Sequence, residues 1–203
     1  MRCLQVHVRT AQASRQSDLD AILAWIGDAH ADVDKAVIAA LREWLAVTAQ
    51  AALDAMAEEE RATSALINNL GRLYKQQGKY PKAEELLTEA LAGRRRQLGD
   101  DHPNTLHSMN NLGGLFTQQR KYPEAEALLT ATLAARRTQL GDDHLDTLNT
   151  DGNLGVVRIR QGGAAHAEGA AAVASVLARL QAPPHSLPET HAWVVKFRAA
   201  LAP

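Results

Sequence analysis

Two segments of this chain are near-copies of each other and lie 42 residues apart. They read INNLGRLYKQQGKYPKAEELLTEALAGRRRQLGDDHPNTL from Ile67 and MNNLGGLFTQQRKYPEAEALLTATLAARRTQLGDDHLDTL from Met109. A fixed period of about 20–50 residues is typical of stacked repeat arrays, in which each unit covers an apolar face of the next. Such arrays present surfaces and rarely catalyse reactions. The period therefore restricts both the expected fold and the expected class of function.

Each copy contains the patterns of two helices, which we call helix A and helix B. On helix A, apolar and small residues follow the i, i+3, i+4, i+7 spacing of one helix face. A glycine inside a helix costs about 1 kcal/mol relative to alanine, so its recurrence on helix A predicts a closely packed second helix. The helix A positions are Ile67, Leu70, Gly71 and Tyr74, then Met109, Leu112, Gly113 and Phe116. The inner face of helix B consists of Ala83, Leu87, Ala90 and Leu91, then Ala125, Leu129, Thr132 and Leu133.

Short signals mark the ends of these helices. Gly78 suits the left-handed conformation that ends helix A, and Pro81 suits the opening turn of helix B. The Asp-Asp-His segments at 100–102 and 142–144 are placed to cap the next helix A. We interpret this connector as structural, because one histidine per repeat lacks the short spacing of a metal site.

Arginines end helix B in both copies, at 94–96 and again as Arg136 and Arg137. Glu84 and Glu85 lie in its first turns, so the order of charges complements the helix dipole. We therefore interpret the arginines as a solvated helix end. A cationic binding patch is the alternative.

Composition favours helix over strand and limits the classes of function. Alanine and leucine dominate and aromatic residues make up 4%, which predicts an all-α chain. The formal net charge of -1 argues against a nucleic-acid binder with a broad basic surface. Cys3 is the single cysteine, so neither a disulfide nor a thiolate metal cluster is expected within the chain.

The N-terminal segment lacks the continuous apolar stretch of a secretory signal. A run of about 18 apolar residues, which a membrane span needs, is also absent from the sequence. These features favour a reducing, cytoplasmic setting without a membrane partner. The segment before Asp18 contains arginines but no acidic residue, a composition that is also typical of a transit peptide. We prefer the interpretation of a poorly ordered leader.

With Leu70, Gly71, Tyr74, Ala83 and Leu87 in place, the unit resembles the tetratricopeptide repeat (TPR). Its 42-residue length, NNLG opening, QQGKYPKAEELL core and GDDHP-x-TL connector are similar to the repeats of kinesin light chains and light-chain-like proteins. The resemblance implies a right-handed α-solenoid of antiparallel helix pairs. The heptad coiled coil of light chains has no counterpart in this sequence, so the resemblance implies a mode of binding and not a kinesin-specific role.

The chain then divides into six predicted parts. The third copy retains Asn153, Leu154 and Gly155 but has Arg158 in place of the aromatic residue, so we expect a degenerate repeat. At the C-terminus, an apolar face that includes Trp193, Val194, Phe197 and Leu201 predicts a capping helix. The parts are a poorly ordered leader at 1–16, a helical pair or decayed repeat at 17–61, TPR 1 at 62–104, TPR 2 at 105–146, a degenerate TPR 3 at 147–182, and a Pro-rich linker with the capping helix at 183–203.

The face of helix A opposite its packing face is the candidate binding groove. Asparagine carries a donor and an acceptor, so a row of asparagines can pair with the main chain of an extended peptide. Asparagines near a helix start also bond neighbouring backbone groups, and this structural alternative stays open. The resemblance implies that the groove holds a peptide, and its basic residues favour an acidic one. The candidate residues are Asn68, Asn69, Arg72, Lys75, His107, Asn110, Asn111, Gln118, Asn153 and Arg160.

The main hypothesis is a non-catalytic adaptor that binds a peptide segment of a protein partner. The sequence contains no glycine-rich phosphate loop, GxSxG elbow or Cys-His pair, so we predict no catalytic residue, metal ligand or cofactor. The alternative is a structural or self-assembly module, or a piece of a larger protein with several domains. We favour a monomer.

Overall fold

The computed structural model describes residues 35–202. The predicted leader at 1–16 and residues 17–34 of the predicted helical pair lie outside the described residues. Throughout 35–202 the regular secondary structure is α-helical, as predicted. The helices are α1 (Lys35–Asp54), α2 (Glu58–Thr63), α3 (Ala65–Gln76), α4 (Tyr80–Leu98), α5 (Pro103–Gln118), α6 (Tyr122–Leu140), α7 (Leu145–Gln161), α8 (Ala164–Gln181) and α9 (Ala192–Leu201).

The described residues divide into two compact units, of which the first ends at Leu86 and the second begins at Leu87. In the first unit, α3 packs against α1 and α2. In the second unit, α5 packs against α6, α6 against α7, and α7 against α8, which is the order of stacked helix pairs. The predicted α-solenoid of helix pairs is confirmed. Among the described helices, none combines the length and hydropathy needed to cross a membrane.

The repeated apolar positions form the core. The inner face of helix B is buried in both copies, and helix A is buried at the predicted positions except Phe116, which is half-buried. In the second unit, one cluster joins α6 and α7 around Leu129 and Val157. A second cluster joins α7, α8 and α9 around Val173 and Phe197. Full burial of such a side chain contributes roughly 1.5–3 kcal/mol, so helix packing is the main source of stability.

The helix A glycines mark close helix contacts. A Cβ placed on Gly113 would lie 2.8 Å from Cγ of Leu129 in α6. On Gly155 it would lie 2.7 Å from Cγ2 of Val173 and 3.0 Å from the carbonyl oxygen of Gly169, both in α8. Because a backbone carbonyl moves less easily than the end of a side chain, Gly155 and Gly169 let α7 and α8 meet through their backbones. The close packing predicted from the recurrent glycine is confirmed at Gly113, and Gly155 of the third copy shows the same close contact.

The C-terminal helix occupies the place of another helix A. It packs against α8 and α7, as α7 packs against α6 and α5. His191 caps α9 by accepting a hydrogen bond at Nδ1 from the backbone N–H of Trp193, at 3.2 Å. His102 and His144 cap α5 and α7 through the same bond, at 3.1 Å in each case. The structural interpretation of the connector histidines is therefore confirmed, and α9 begins like its predecessors.

The capping face of α9 is only partly covered. Val194 and Phe197 are buried, and a Cβ placed on Gly152 of α7 would collide with the Phe197 ring. Trp193 is half-buried and Leu201 is 37% exposed. Trp193 packs against the same core cluster as Val194 and Phe197, so three of the four expected residues contribute to the predicted shielding of the last apolar surface.

The first arginine of each run is buried, which corrects our interpretation of a solvated helix end. Arg136 is 4% exposed and donates through Nη1 to the carbonyl oxygen of Asp146 at 2.9 Å and to Oγ1 of Thr150 at 2.7 Å. Arg94 makes the equivalent two bonds one repeat earlier, and burial lowers the pKa of both guanidinium groups. Arg137, by contrast, is exposed. The buried guanidinium therefore ties the end of helix B to the start of the next helix A.

Truncating this buried arginine should destabilise the second unit. We expect Arg136→Ala to lower the free energy of unfolding by about 2–4 kcal/mol, because it removes two charge-assisted bonds and leaves a cavity. The matched change Arg137→Ala removes a cation that pairs with Asp142 and Asp151 at the surface and should cost less than about 1 kcal/mol. Urea unfolding of both variants measures the difference. Equal losses would show that burial of Arg136 has no special role.

The turn after helix A gives a second prediction. Gly78 adopts φ +73°, and Arg120 adopts φ +63° at the equivalent place one repeat later. A side chain in this conformation costs roughly 1–2 kcal/mol, partly offset by the greater chain entropy of glycine. We expect Arg120→Gly to raise the free energy of unfolding by about 0.5–1 kcal/mol and Gly78→Ala to lower it by about 1 kcal/mol. A loss of thermal stability in Arg120→Gly would contradict this account.

Candidate functional site

One face of helix A carries equivalent residues in the two helices α5 and α7. Asn111, Gly114 and Gln118 follow an i, i+3, i+7 spacing on α5, and Asn153, Val156 and Arg160 repeat this spacing 42 residues later on α7. Side chains at this spacing share one helix face. We call these six positions the A-helix strip.

A pocket with a volume of about 410 Å³ opens along the A-helix strip. A second pocket, of about 430 Å³, adjoins it because both are lined by Thr117, Gln118 and Arg160. The second pocket extends to Arg120 and Tyr122. Three helices of the second unit line the first pocket, through Gly114, Thr117 and Gln118 of α5, Asn153, Val156, Ile159 and Arg160 of α7, and Lys196, Ala199 and Ala200 of α9.

Three asparagines bond to one another at the wall of this pocket. Asn153 donates through Nδ2 to Oδ1 of Asn110 at 3.1 Å and to Oδ1 of Asn149 at 3.2 Å. Asn110 donates to Oδ1 of Asn149 at 3.3 Å, and Lys196 donates to Oδ1 of Asn153. Each of the three amide oxygens therefore already accepts a bond. Asn153 is the one of the three that lines the pocket, and these bonds use both of its N–H groups. The donors that the lining offers to carbonyl or carboxylate oxygens are instead those of side chains such as Gln118 and Arg160.

Positive charge in the pockets is not balanced by acidic residues in their lining. Among residues 35–202, Arg120 and Arg160 have neither a hydrogen bond nor an ion pair through their side chains. Arg179 instead pairs with Asp143 at 2.7 Å, and Arg137 pairs with two aspartates. Neither pocket is lined by an aspartate or a glutamate. Both pockets therefore favour an anionic ligand.

The first unit holds four of the predicted groove residues, all on α3. Asn68 is 3% exposed, and its Oδ1 has no donor among the described residues. Asn69 and Arg72 are half-buried. Burial, with a smaller contribution from the like charge of Arg72, lowers the pKa of Lys75 to about 8.

Of the predicted groove residues in the second unit, Gln118, Asn153 and Arg160 line the first pocket. Asn110 supports the pocket wall through its bonds to Asn149 and Asn153, as the structural alternative allowed. The roles of all ten predicted residues in binding remain predictions. Two further predicted groove residues lie in this unit. Asn111 is 8% exposed, and its Nδ2 has no acceptor among the described residues. His107 is exposed and lines neither pocket.

Lys196 and Arg120 line the pockets but are not among the predicted groove residues. Aligning His191 with His144 would have marked α9 as a further helix A and placed Lys196 in register with Asn149. Aligning the turn after Gln118 with Gly78 would have drawn attention to Arg120. Both signals were present, but a 47-residue step to His191 in place of 42 hid the first.

The family model of the tetratricopeptide repeat matches residues 60–138 and 111–175, which together cover more than half of the chain. The chain belongs to the tetratricopeptide repeat family. Proteins of this family generally mediate protein–protein interactions. A search of curated proteins found no match to this TPR chain.

Solved structures share the fold. The nearly identical TPR-like repeats of a Podosopora anserina protein assigned to the kinesin light chains match with a TM-score of 0.61 and 22% identity, over 93% of this chain and 86% of that one. A single-substitution variant of that protein matches equally well, over 94% and 86%. BtubC (BKLC) from P. vanneervenii matches with a TM-score of 0.56 and 20% identity, over 80% of this chain and 65% of BtubC. The chain thus covers less than two thirds of BtubC, and these similarities establish a kinesin-light-chain-like TPR fold.

Lys75 gives a prediction for the first unit. Its pKa of about 8 in the fold, against 10.5 in the unfolded chain, means that the fold disfavours the protonated amine. This penalty is complete below about pH 8 and disappears as the pH rises towards 10.5. We therefore expect Lys75→Met to raise the free energy of unfolding at pH 7 and to lose this advantage by pH 10.5.

Urea unfolding at a series of pH values measures this effect, and NMR titration of the lysine Hε protons gives the midpoint directly. Arg72→Gln should raise the midpoint, because it removes the neighbouring like charge. A midpoint above about 10 in the folded wild-type protein would contradict the burial of this amine.

Proposed function

We propose that the protein is a non-catalytic interaction module that binds an extended segment of a protein partner along the A-helix strip. The general use of TPR proteins in protein–protein interaction supports this class of function. The observation that carries the proposal is the pocket along the strip, whose lining includes the amide of Gln118 and the guanidinium of Arg160 as hydrogen-bond donors. The main chain of an extended segment offers carbonyl oxygens, which are the acceptors that these donors require.

The bound segment is expected to be acidic. Arg160 and Arg120 extend into the two adjoining pockets, and no carboxylate of the pocket lining competes for them. An exposed ion pair contributes about 0–1 kcal/mol, so these cations select among partners more than they provide affinity. The main-chain bonds and the apolar residues of the pocket then provide most of the binding energy.

We further propose that the protein works in the cytoplasm, as a monomer and without a cofactor. Self-assembly is a second candidate function, favoured by exposed apolar side chains on α9, where Val195 is 52% and Leu201 is 37% exposed. Light scattering over a concentration series separates the two candidates. A monomer mass that stays constant with concentration would exclude self-assembly as the function, and a dimer that forms as the concentration rises would favour it.

Changes on the strip should weaken binding without unfolding the protein. We expect the double change Asn111→Ala and Gln118→Ala to weaken binding of peptides selected by the wild-type protein by about 1–3 kcal/mol in total. Asn111 has an amide nitrogen without an acceptor among the described residues, and Gln118 is exposed in both pockets, so neither change removes a bond on which folding depends. The measurement is isothermal titration calorimetry with peptides taken from a random-peptide display library.

Two matched variants complete this test. Gln161→Ala changes an exposed glutamine of α7 that lines neither pocket, and it should leave the peptide affinity unchanged. Asn110→Ala breaks the internal asparagine network, and it should lower the free energy of unfolding by about 1–3 kcal/mol. If the double variant stays folded and binds every selected peptide with wild-type affinity, the strip is not the binding surface.

A further inference from the structure

We propose that the C-terminal helix α9 is a hinged lid, which opens as one unit about residues 188–191 and whose closure completes the pocket on the A-helix strip. The opening of the lid is independent of the proposed function, whereas its use in holding a partner segment rests on that function. The sequence pattern of α9 predicts only a shield for the end of the array. In the structure, the helix is attached by few buried residues and forms part of the pocket wall.

Far fewer buried residues hold α9 than hold the helix before it in the same role. Two of the ten residues of α9 are buried, Val194 and Phe197, whereas ten of the seventeen residues of α7 are buried. Trp193 and Ala200 add partly covered surface to the same core cluster. An isolated helix shorter than about 12–15 residues is marginal in water, so α9 depends on these contacts. Opening of α9 therefore requires less free energy than unfolding of the second unit.

The Phe197 ring is the main apolar anchor of the lid. It is fully buried and lies against Gly152 of α7, where a Cβ would be 2.3 Å from the Cζ atom of the ring. The ring thus occupies a hollow that a glycine leaves in α7. The backbone contact between α7 and α8 at Gly155 and Gly169 does not involve α9, so it remains in place when the ring leaves.

The linker before α9 is long, and its first part is fixed. Ten residues, 182–191, join α8 to α9, whereas four join α6 to α7. The backbone N–H of Leu187 donates to the carbonyl oxygen of Leu180 at 2.8 Å, and the Leu187 side chain packs against the core cluster. These contacts attach the linker to α8 as far as Leu187. The movement of the lid is therefore confined to the four residues 188–191, which we call the hinge.

Polar contacts with the connector between α6 and α7 also fix the first part of the linker. Arg179 of α8 donates to Oδ1 of Asp143 through Nε at 3.0 Å and through Nη2 at 2.7 Å. His185 bonds through Nε2 to the carbonyl oxygen of Asp143 at 2.7 Å. Because a carbonyl oxygen only accepts, this ring nitrogen is the donor. Asp143 thus holds the linker on the fixed side of the hinge.

Glu189 lies in the hinge and joins the fixed helix to the moving one. Its carboxylate accepts a hydrogen bond from Nε2 of Gln181 in α8 at 2.7 Å and pairs with the guanidinium of Arg198 in α9. The hydrogen bonds from Arg198 and Gln181 lower the pKa of Glu189, which keeps the carboxylate ionised at neutral pH. We call this side chain the latch. Glu189 and Arg198 are both more than half exposed, so salt screens the latch and its contribution is modest.

Closure of the lid completes one wall of the first pocket. Lys196, Ala199 and Ala200 of α9 line this pocket together with residues of α5 and α7, and Lys196 donates a hydrogen bond to Asn153 of α7. Opening of the lid removes this wall. A ligand that contacts both α7 and α9 therefore binds the closed state, and ligand binding and lid closure favour each other.

Native-state hydrogen exchange of the full chain, measured at increasing urea concentrations below the unfolding transition, tests the lid. We expect the amides of residues 195–201 to share one opening constant, at least about tenfold larger than that of the α7 amides. Its dependence on urea should be weaker than that of global unfolding, because less surface becomes exposed. Exchange that progresses inwards from Leu201 would show fraying of a helix end, and exchange in step with α7 and α8 would show that α9 does not move separately. Either result would overturn the proposal.

Variants test the anchor and the latch separately. Gly152→Ala places a Cβ against the Phe197 ring while it favours the helix of α7, so it should raise the opening constant of α9 at least about tenfold. Glu189→Ala should raise this constant about two- to fivefold at low salt and by less at high salt. The matched change Thr190→Ala alters an exposed neighbour in the hinge, which makes no side-chain bond among residues 35–202, and it should have no effect. A wild-type constant in Gly152→Ala would overturn the anchor, and a wild-type constant in Glu189→Ala would overturn the latch.

The display-selected peptides described above test the use of the lid in binding. At a peptide concentration about ten times the dissociation constant, opening of α9 should be suppressed about tenfold, because only the closed state binds. A peptide that protects amides of α5 and α7 but leaves the exchange of α9 unchanged would overturn this use of the lid and would leave the proposed function intact. If no peptide binds along the strip, the proposed function is wrong, whereas exchange in the free protein still decides whether α9 opens as a unit.

Discussion

The second unit depends on the close, repeated packing of each helix A against the helices on both sides of it. Gly113 and Gly155 admit a neighbouring side chain or backbone where any Cβ would collide, so the axes of successive helices are held near each other. The buried Arg136 then fixes where the next helix begins, by binding the carbonyl of Asp146 in its first turn. The rotation of helix A about its axis and its position along that axis are therefore both fixed. As a result, the face opposite its packing face recurs in register from one repeat to the next. The A-helix strip is a consequence of that packing.

The sequence alone predicted the parts of this arrangement that follow from helical periodicity. The buried faces of both helices, the left-handed turn at Gly78 and the cap at the connector all depend on interactions within one repeat or between adjacent repeats, and the 42-residue copies repeat them. The positions of Gln118, Asn153 and Arg160 around a pocket also follow from this period. What periodicity cannot supply is the partner of each polar side chain, since that depends on contacts across helices.

Two errors of interpretation show this limit. The arginines at the end of helix B have the composition of a solvated helix end, and only the path of the following connector shows that Arg94 turns inward to bind Asn104 and Ser108. The role of α9 was limited to capping because the segment before it is five residues longer than the repeat requires and contains Pro183 and Pro184. In both cases the missing information was the direction of a loop. The histidine cap, which depends on local geometry alone, was visible in the sequence.

The two copies of the strip differ in a way that matters for the proposed binding of a partner segment. Asparagine occupies the first position in both, at 111 and 153, whereas the third changes from Gln118 to Arg160. A residue that contacts the main chain of a ligand can remain the same in every repeat, because all peptides share that main chain. A residue that contacts ligand side chains must differ between repeats if the protein is to distinguish one register of the ligand from another. Since Arg160 and Lys196 both line the pocket at the α7–α9 end of the strip, the proposed function predicts that the register of an acidic segment is determined mainly there.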